Sequence, residues 1–429
     1  MVEKRLVQGI CADIKRHWLR FWRGIDILIA RIYWKRFTKK IPVVKNQVMF
    51  RTFQDKYTCN PKYVCEELIK SGVDCKIVWV YSKKSGDLSQ FPPQVKLVRF
   101  GTIEFYEAMA QSHYWIDNAH NFTWEAFPKK DEQVLINLWH GSMGLKRINP
   151  EDDSNRRRKK AGLRASKSTD YCVTNSKFEE DVFKSTYWPN TEFLKFGHAR
   201  NDMMFSTEEQ FRTLREEICK KIGLNPNDKF LLYAPTFRDD KTAFDCFNID
   251  YPKLKQALEE RFGGNWVVLQ RLHFHTQLAI ENKLKLLEEN ENDFENAVME
   301  NNPLSRLSDN DFVVSVSDYD DIQELMAISD AGVSDYSSWV CDFVLMKRPC
   351  FLFTTDIDSY VTERGFYYEL TDTPFPICKN NHELISNVKC FDNDKYLFDI
   401  DKYLDMLGCY ENGDAAERIV EMLKAGFCK

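Results

Sequence analysis

From residue 47 onward the sequence alternates short apolar runs with segments of helical spacing, and it does so in two series. The first predicts strands at 47–53, 76–81, 95–99, 114–117, 134–138, 171–174 and 193–196, with helices at 61–71 and 103–111. After a helix at 208–222, the second predicts strands at 230–234, 266–270, 312–316, 332–333 and 350–354, with helices at 251–261, 322–328 and 338–346. A helix between two strands carries the chain back across the sheet, so the strands it joins run parallel. At about 100–200 residues per domain, two such series in 429 residues predict two doubly wound α/β domains. The expected division is an arm over 1–45, one domain over 46–205 and a second over 206–429. The Glu- and Asn-rich stretch 283–302 reads as a solvated excursion.

Composition supports an ordinary folded body, with 43% hydrophobic and 14% aromatic residues. The thirteen cysteines follow no CxxC or regular spacing, which predicts reduced thiols and not a disulfide framework or a zinc site. The net charge of −5 is unevenly spread. The first forty residues hold eleven Lys/Arg against three Asp/Glu, a balance of +8, and the rest of the chain carries −13. In this arm Trp18, Phe21, Trp22, Ile25, Leu28, Ile29 and Ile32 fall on one helical face, with Arg16, Arg20, Arg23 and Arg31 opposite. Its apolar stretches are far shorter than the ~20 residues that span a bilayer, and no signal-peptide order is present. Arginines opposite tryptophans predict a helix lying in an anionic membrane surface. The plainer alternative is a helix packed on the protein's own body.

Ligands of doubly wound sheets bind beyond the C-terminal ends of the strands, so residues just after strands are the candidates. Four motifs stand there. In WHGSMGLKR, residues 139–147, His140 is placed as a general base, Gly141 and Gly144 permit close backbone approach, and Lys146 and Arg147 offer cations for phosphate. In YAPTFRDD, residues 233–240, Thr236 and Arg238 offer a hydroxyl and a guanidinium suited to phosphate. In QRLHFH, residues 270–275, Arg271 and His273 end a strand two positions apart. His273 and His275 have the spacing to ligate a metal, but no third ligand stands near in a known pattern. In SDYSSW, residues 334–339, Asp335, Ser337 and Ser338 meet a helix start, where hydroxyls, free N–H groups and the helix dipole suit a diphosphate. Each motif also has a bland reading: a structural histidine, a surface arginine, an ordinary helix cap. Their joint occurrence at strand ends favours a site.

These residues resemble the CDP-glycerol glycerophosphotransferases of teichoic-acid and capsule synthesis. The resemblance rests on Trp139-His140-Gly141 with Lys146, Gly197 with Arg200-Asn201-Asp202, and Tyr233-Ala234-Pro235-Thr236 with Arg238-Asp239. It continues in Arg271-Leu272-His273, in Ser334-Asp335-Tyr336-Ser337-Ser338 with Asp342-Phe343, and in Lys347-Arg348-Pro349, Tyr360 and Arg364-Gly365-Phe366. Phe274, Ser142-Met143-Gly144 and Pro374-Phe375-Pro376 depart from the usual pattern.

The resemblance implies a GT-B-like fold, two doubly wound Rossmann-type domains facing a cleft, with the acceptor on the first and the CDP donor on the second. It implies transfer of a polyol phosphate from CDP-glycerol or CDP-ribitol to a hydroxyl on a lipid-linked or polymeric acceptor, releasing CMP. His140 and His273 map onto the two family histidines. The donor diphosphate would lie against Ser337 and Ser338, with Thr236, Arg238, Arg271 and Asp335 nearby. Gly141, Lys146, Arg200, Asp202 and Arg364 are further cleft candidates. The implied place of work is the cytoplasmic face of the bacterial membrane, peripherally bound. No cofactor is required by this reading, a divalent metal stays open, no nucleic acid is expected, and a homo-oligomer is left open. Two other functions fit the bare motifs: a GT-B glycosyltransferase using a nucleotide sugar, and a non-catalytic polymer-binding protein at the membrane.

Overall fold

The computed structural model describes residues 32, 36, 38–122, 129–145, 147, 156–236, 249–272, 311–357 and 365–427. The arm, apart from a few of its residues, and the 283–302 excursion lie outside them.

Seven strands form the first sheet: β1 (Val44–Arg51), β2 (Lys76–Tyr81), β3 (Lys96–Arg99), β4 (Ser112–Asp117), β5 (Val134–Asn137), β6 (Tyr171–Thr174) and β7 (Glu192–Lys195). Their order is β3-β2-β1-β4-β5-β6-β7, and every pairing is parallel. Six strands form the second: β8 (Lys229–Tyr233), β9 (Trp266–Gln270), β10 (Val313–Ser315), β11 (Ala331–Ser334), β12 (Cys350–Phe353) and β13 (Ile377–Cys378). Their order is β10-β9-β8-β11-β12-β13, again parallel throughout. Both sheets begin at a central strand, wind outward, then return to the other side. The reversals fall between β1 and β4 and between β8 and β11, which are the two crevices where ligands of such sheets sit.

Strand character follows from burial on both faces. All five residues of β9, Trp-Val-Val-Leu-Gln, are buried, as expected of a parallel strand covered by helices on each side. In β1 alternate residues serve opposite cores: Val48 and Phe50 pack with Trp79, Ile116 and Ile136, while Met49 packs with Val78, Trp115 and Leu135. The expected strands and helices agree with those observed to within a few residues at their ends.

Two features tie the units together. The 3-10 segment Ala199–Phe205 links them, with Ala199 in the core of the first sheet and Met204 in the core of the second. The last helix, Ala415–Phe427, then returns to the first sheet, where Ala416, Ile419, Val420 and Leu423 pack with Val48, Phe50 and Val64. A division of the chain at one point near residue 205 does not describe this crossing. Hydrophobic spacing marks a helix's buried face but not which sheet it will cover.

Candidate active site

His140 stands where β5 runs out. The side chain of Asn137, at the strand's end, donates to Asp117 Oδ1 (2.7 Å) and accepts from the Trp139 N–H (2.8 Å). This turns the chain so sharply that Trp139 adopts φ +53°, a left-handed conformation that costs a residue with a side chain about 1–2 kcal/mol. Packing of its indole edge-on to Phe183 and Trp188, with ring centroids 5.1 and 5.5 Å away, offsets that strain. The indole also explains the glycine that follows His140. A Cβ at Gly141 would lie 2.8 Å from Trp139 Nε1.

Four successive carbonyls of this turn are held by two side chains. Asn60 Nδ2 donates to Leu138 O (2.8 Å) and Trp139 O (3.1 Å). Arg200 donates to His140 O (2.6 Å) and Gly141 O (2.7 Å). The buried guanidinium of Arg200 also pairs with Asp342 Oδ2 (2.8 Å), on the helix Trp339–Phe343 of the second domain. Asp342 Oδ1 accepts from Asn201 (2.9 Å). Arg200 thus backs the histidine turn and does not present its charge to the cleft. Asp202 has a comparable structural role. Its carboxylate accepts from the N–H groups of Ala415 (3.0 Å) and Ala416 (2.7 Å), capping the helix that returns to the first sheet.

His140 keeps part of its surface open to solvent, while protein surrounds its imidazole. Its Nδ1 lies 2.6 Å from Asn118 O, after β4. A carbonyl can only accept, so Nδ1 carries the proton and Nε2 keeps its lone pair. Desolvation by the surrounding protein lowers the His140 pKa below 6.5, and the charges of Arg200 and His198 push the same way, against the opposing Asn118 hydrogen bond. The neutral, proton-accepting form is therefore the one present at pH 7. If His140 is the base, the acid limb of kcat/KM should be centred below 6.5, the rate falling as the imidazole protonates. A pH–rate profile checks this, and an acid limb centred above 6.5 would contradict it.

Beyond His140 the chain leaves the first domain. Met143 and Leu145 are buried in the core of the second sheet. Tyr367 N donates to Leu145 O (3.1 Å), Tyr368 Oη to Met143 O (2.8 Å), and Arg147 Nε to Phe366 O (2.8 Å). The segment expected to be a ligand loop is, over these residues, a strut between domains.

In the second domain, Thr236 follows β8 and Asp335 follows β11. They bind each other: Thr236 Oγ1 donates to Asp335 Oδ1 at 2.8 Å, and its N–H lies 3.0 Å from both carboxylate oxygens. This clasp holds the two strand ends on either side of the second crevice. Ser337 and Ser338 are half-buried. Ser338 occupies the position preceding helix Trp339–Phe343, but its side chain makes no capping hydrogen bond. The plain-cap reading of that serine is therefore not what the structure shows. Arg271 leaves β9 with its guanidinium turned to Tyr319 O and Asp320 O (3.3 Å to the latter). It anchors the loop whose Asp320 pairs with Lys56 (2.9 Å) and whose Asp321 pairs with Lys62 (2.7 Å) across the domain boundary. His273, Arg238, Lys146, Arg364, His275 and Tyr360 lie outside the described residues. Among the described residues, no group of three His, Cys, Asp or Glu is placed to hold a metal ion.

Sequence reasoning did not find Asn60 or Asn118. Nothing local marks them: one opens a helix and one ends a strand, and asparagine is ordinary at both.

Two parallel, doubly wound sheets with a candidate base on the first and an uncapped serine turn on the second define a GT-B-like transferase fold. The sequence profile of CDP-Glycerol:Poly(glycerophosphate) glycerophosphotransferase matches residues 33–425, and the chain belongs to that family. It is 27% identical over 410 residues to the teichoic acid poly(glycerol phosphate) polymerase of Bacillus spizizenii, covering 92% of this chain and 97% of that protein. It is 28% identical over 403 residues to the Staphylococcus epidermidis polymerase of the same description, covering 90% of this chain but spanning only 51% of that longer relative. The wall teichoic acid polymerase TagF has a matching structure, with a TM-score of 0.74 at 25% identity over 97% of each chain.

Proposed function

We propose that this chain transfers glycerol phosphate from CDP-glycerol to a hydroxyl of a membrane-linked polymer of teichoic-acid or capsule type, releasing CMP. The acceptor oxygen attacks the β-phosphorus in line as the bond to CMP breaks, and Nε2 of His140 takes the hydroxyl proton. Such transfers depend on positioning and charge stabilisation more than on covalent help. His273 would stabilise the phosphoryl oxygens or protonate the departing CMP. The observation that carries this reading is the double role of Arg200. One guanidinium holds the His140 carbonyl and, through Asp342, the helix that follows Ser337 and Ser338. The candidate base and the serine turn are thereby joined through one set of side-chain bonds. Glycerol is favoured over ribitol because the relatives named as poly(glycerol phosphate) polymerases align over 90–92% of this chain at 25–28% identity, against 70–85% of it for those named for ribitol phosphate.

Replacing Ser337 and Ser338 together by alanine is expected to weaken CDP-glycerol binding without lowering the melting temperature, because neither hydroxyl is bonded among the described residues. Unchanged donor affinity in a calorimetric titration would count against the assignment.

Among the described residues no helix is long and apolar enough to cross a membrane. Attachment is assigned to the arm over 1–45, at the cytoplasmic face. Each basic residue there contributes about 1 kcal/mol at an anionic surface, weakened by salt. Deleting residues 1–40, which leaves β1 whole, should abolish co-sedimentation with anionic vesicles, and undiminished sedimentation would place the contact elsewhere.

A further inference from the structure

Two large rings stand beside the candidate base: the buried indole of Trp139, its centroid 4.5 Å from that of His140, and the exposed ring of Phe53. Phe53, just after β1, is 60% exposed, and its ring lies nearly parallel to that of His140, at 14° with centroids 6.5 Å apart. Scattered exposed apolar side chains are common and carry no message by themselves. This one is held by an unusual backbone. Gln54 and Asp55, the next two residues, both adopt left-handed conformations, with φ +61° and +57°. Neither is glycine, and strain of this kind persists only where surrounding bonds over-determine it.

Those bonds are present. The Asp55 carboxylate accepts from Arg51 Nε (3.1 Å), and its carbonyl accepts from Ser85 Oγ (2.6 Å). The Phe53 N–H donates to Asn118 Oδ1 (3.0 Å). Asn118 is the residue whose carbonyl fixes His140 Nδ1. One buried asparagine therefore sets the position of both rings, by its side chain and its main chain. The turn also lies on the cleft, since Lys56, three residues on, reaches Asp320 of the second domain (2.9 Å).

We infer that Phe53 is an acceptor-binding residue, its ring packing against the carbon skeleton of the acceptor's terminal unit. This inference rests on the proposed transfer reaction. A polyol chain or sugar ring carries hydroxyls on its edges and C–H groups on its faces. A flat apolar ring beside the base takes the C–H face and leaves a hydroxyl directed at Nε2. The acceptor is the fitting partner because Phe53 and His140 both belong to the first sheet, whereas the serine turn suited to the donor belongs to the second.

The test uses the full chain, CDP-glycerol and a synthetic glycerol-phosphate trimer as acceptor. Phe53→Ala is expected to raise the KM for the trimer roughly five- to tenfold, the usual worth of an aromatic packing contact. The dissociation constant of CDP-glycerol should not change, and Phe53→Tyr should restore most of the acceptor KM. Because the ring is largely exposed, the melting temperature should be unaffected. An unchanged acceptor KM in Phe53→Ala overturns the inference, and so does a fall confined to kcat, which would mean that the ring only steadies His140. Binding of the trimer without donor, measured by calorimetry, gives a second reading independent of turnover. Wild-type protein that binds the trimer but releases no CMP would sink the proposed reaction and leave the Phe53 contact to be judged by binding. Wild-type protein that does neither would overturn both.

Discussion

His140→Ala is expected to lower turnover by about 10²–10⁴, the usual worth of a positioned acid or base. The loss should appear in kcat, since the imidazole acts on the acceptor proton during transfer and contributes little to donor binding. Folding should be nearly untouched. The residue is partly open to solvent, and its side chain makes a single hydrogen bond among those described, from Nδ1 to Asn118 O. The turn itself is fixed by main-chain carbonyls that Asn60 and Arg200 hold whatever side chain follows Trp139. Turnover near the wild-type value with intact donor binding would remove His140 as the base.

Replacement of Arg200 is expected to lower stability as well as activity. Arg200 is 6% exposed and its partner Asp342 is 1% exposed, so Arg200→Ala leaves a carboxylate buried without its counter-charge. Breaking a buried pair from one side typically costs about 3–5 kcal/mol. It also frees the carbonyls of His140 and Gly141, so activity should fall along with stability. Burial alone would lower the Arg200 pKa, but the Asp342 carboxylate outweighs it and holds the guanidinium charged. Removing both partners, as Arg200→Met with Asp342→Leu, should cost less stability than removing either alone, because no charge is stranded. Urea unfolding of the four proteins checks this. Equal and additive losses would show that the pair is not coupled.

These two expectations separate what the sequence could say from what it could not. The sheets were legible because their strands are buried on both faces. A run such as Trp-Val-Val-Leu-Gln at 266–270 has few other fates, and the intervening helices forced the strands parallel. His140 was legible because it follows such a run. Arg200 was visible as a charged residue in a family motif, but its direction was not. A charge reads locally as a ligand contact, and only the fold reveals Asp342 waiting 142 positions away. The same limit hid the strut. Met143 and Leu145 look like part of a glycine-bounded ligand loop, yet their side chains complete the core of the other domain. Phe53, Asn60 and Asn118 carry no periodic or spacing signal. Their importance comes from three strand ends meeting at one point, which is a property of the strand order β1-β4-β5.

The central claim is a polyol-phosphate transfer with CMP as the leaving group. It is tested most directly by incubating the full chain with CDP-glycerol and a lipid-linked glycerol-phosphate acceptor, then measuring the nucleotide released and the mass of the product. CDP-ribitol and a UDP-sugar serve as parallel donors. The account predicts CMP from CDP-glycerol in step with an acceptor heavier by whole glycerol-phosphate units, formed at least about a hundredfold more slowly by the His140→Ala protein. UDP released from the sugar donor with transfer of a glycosyl group, or no product from any donor, would contradict it.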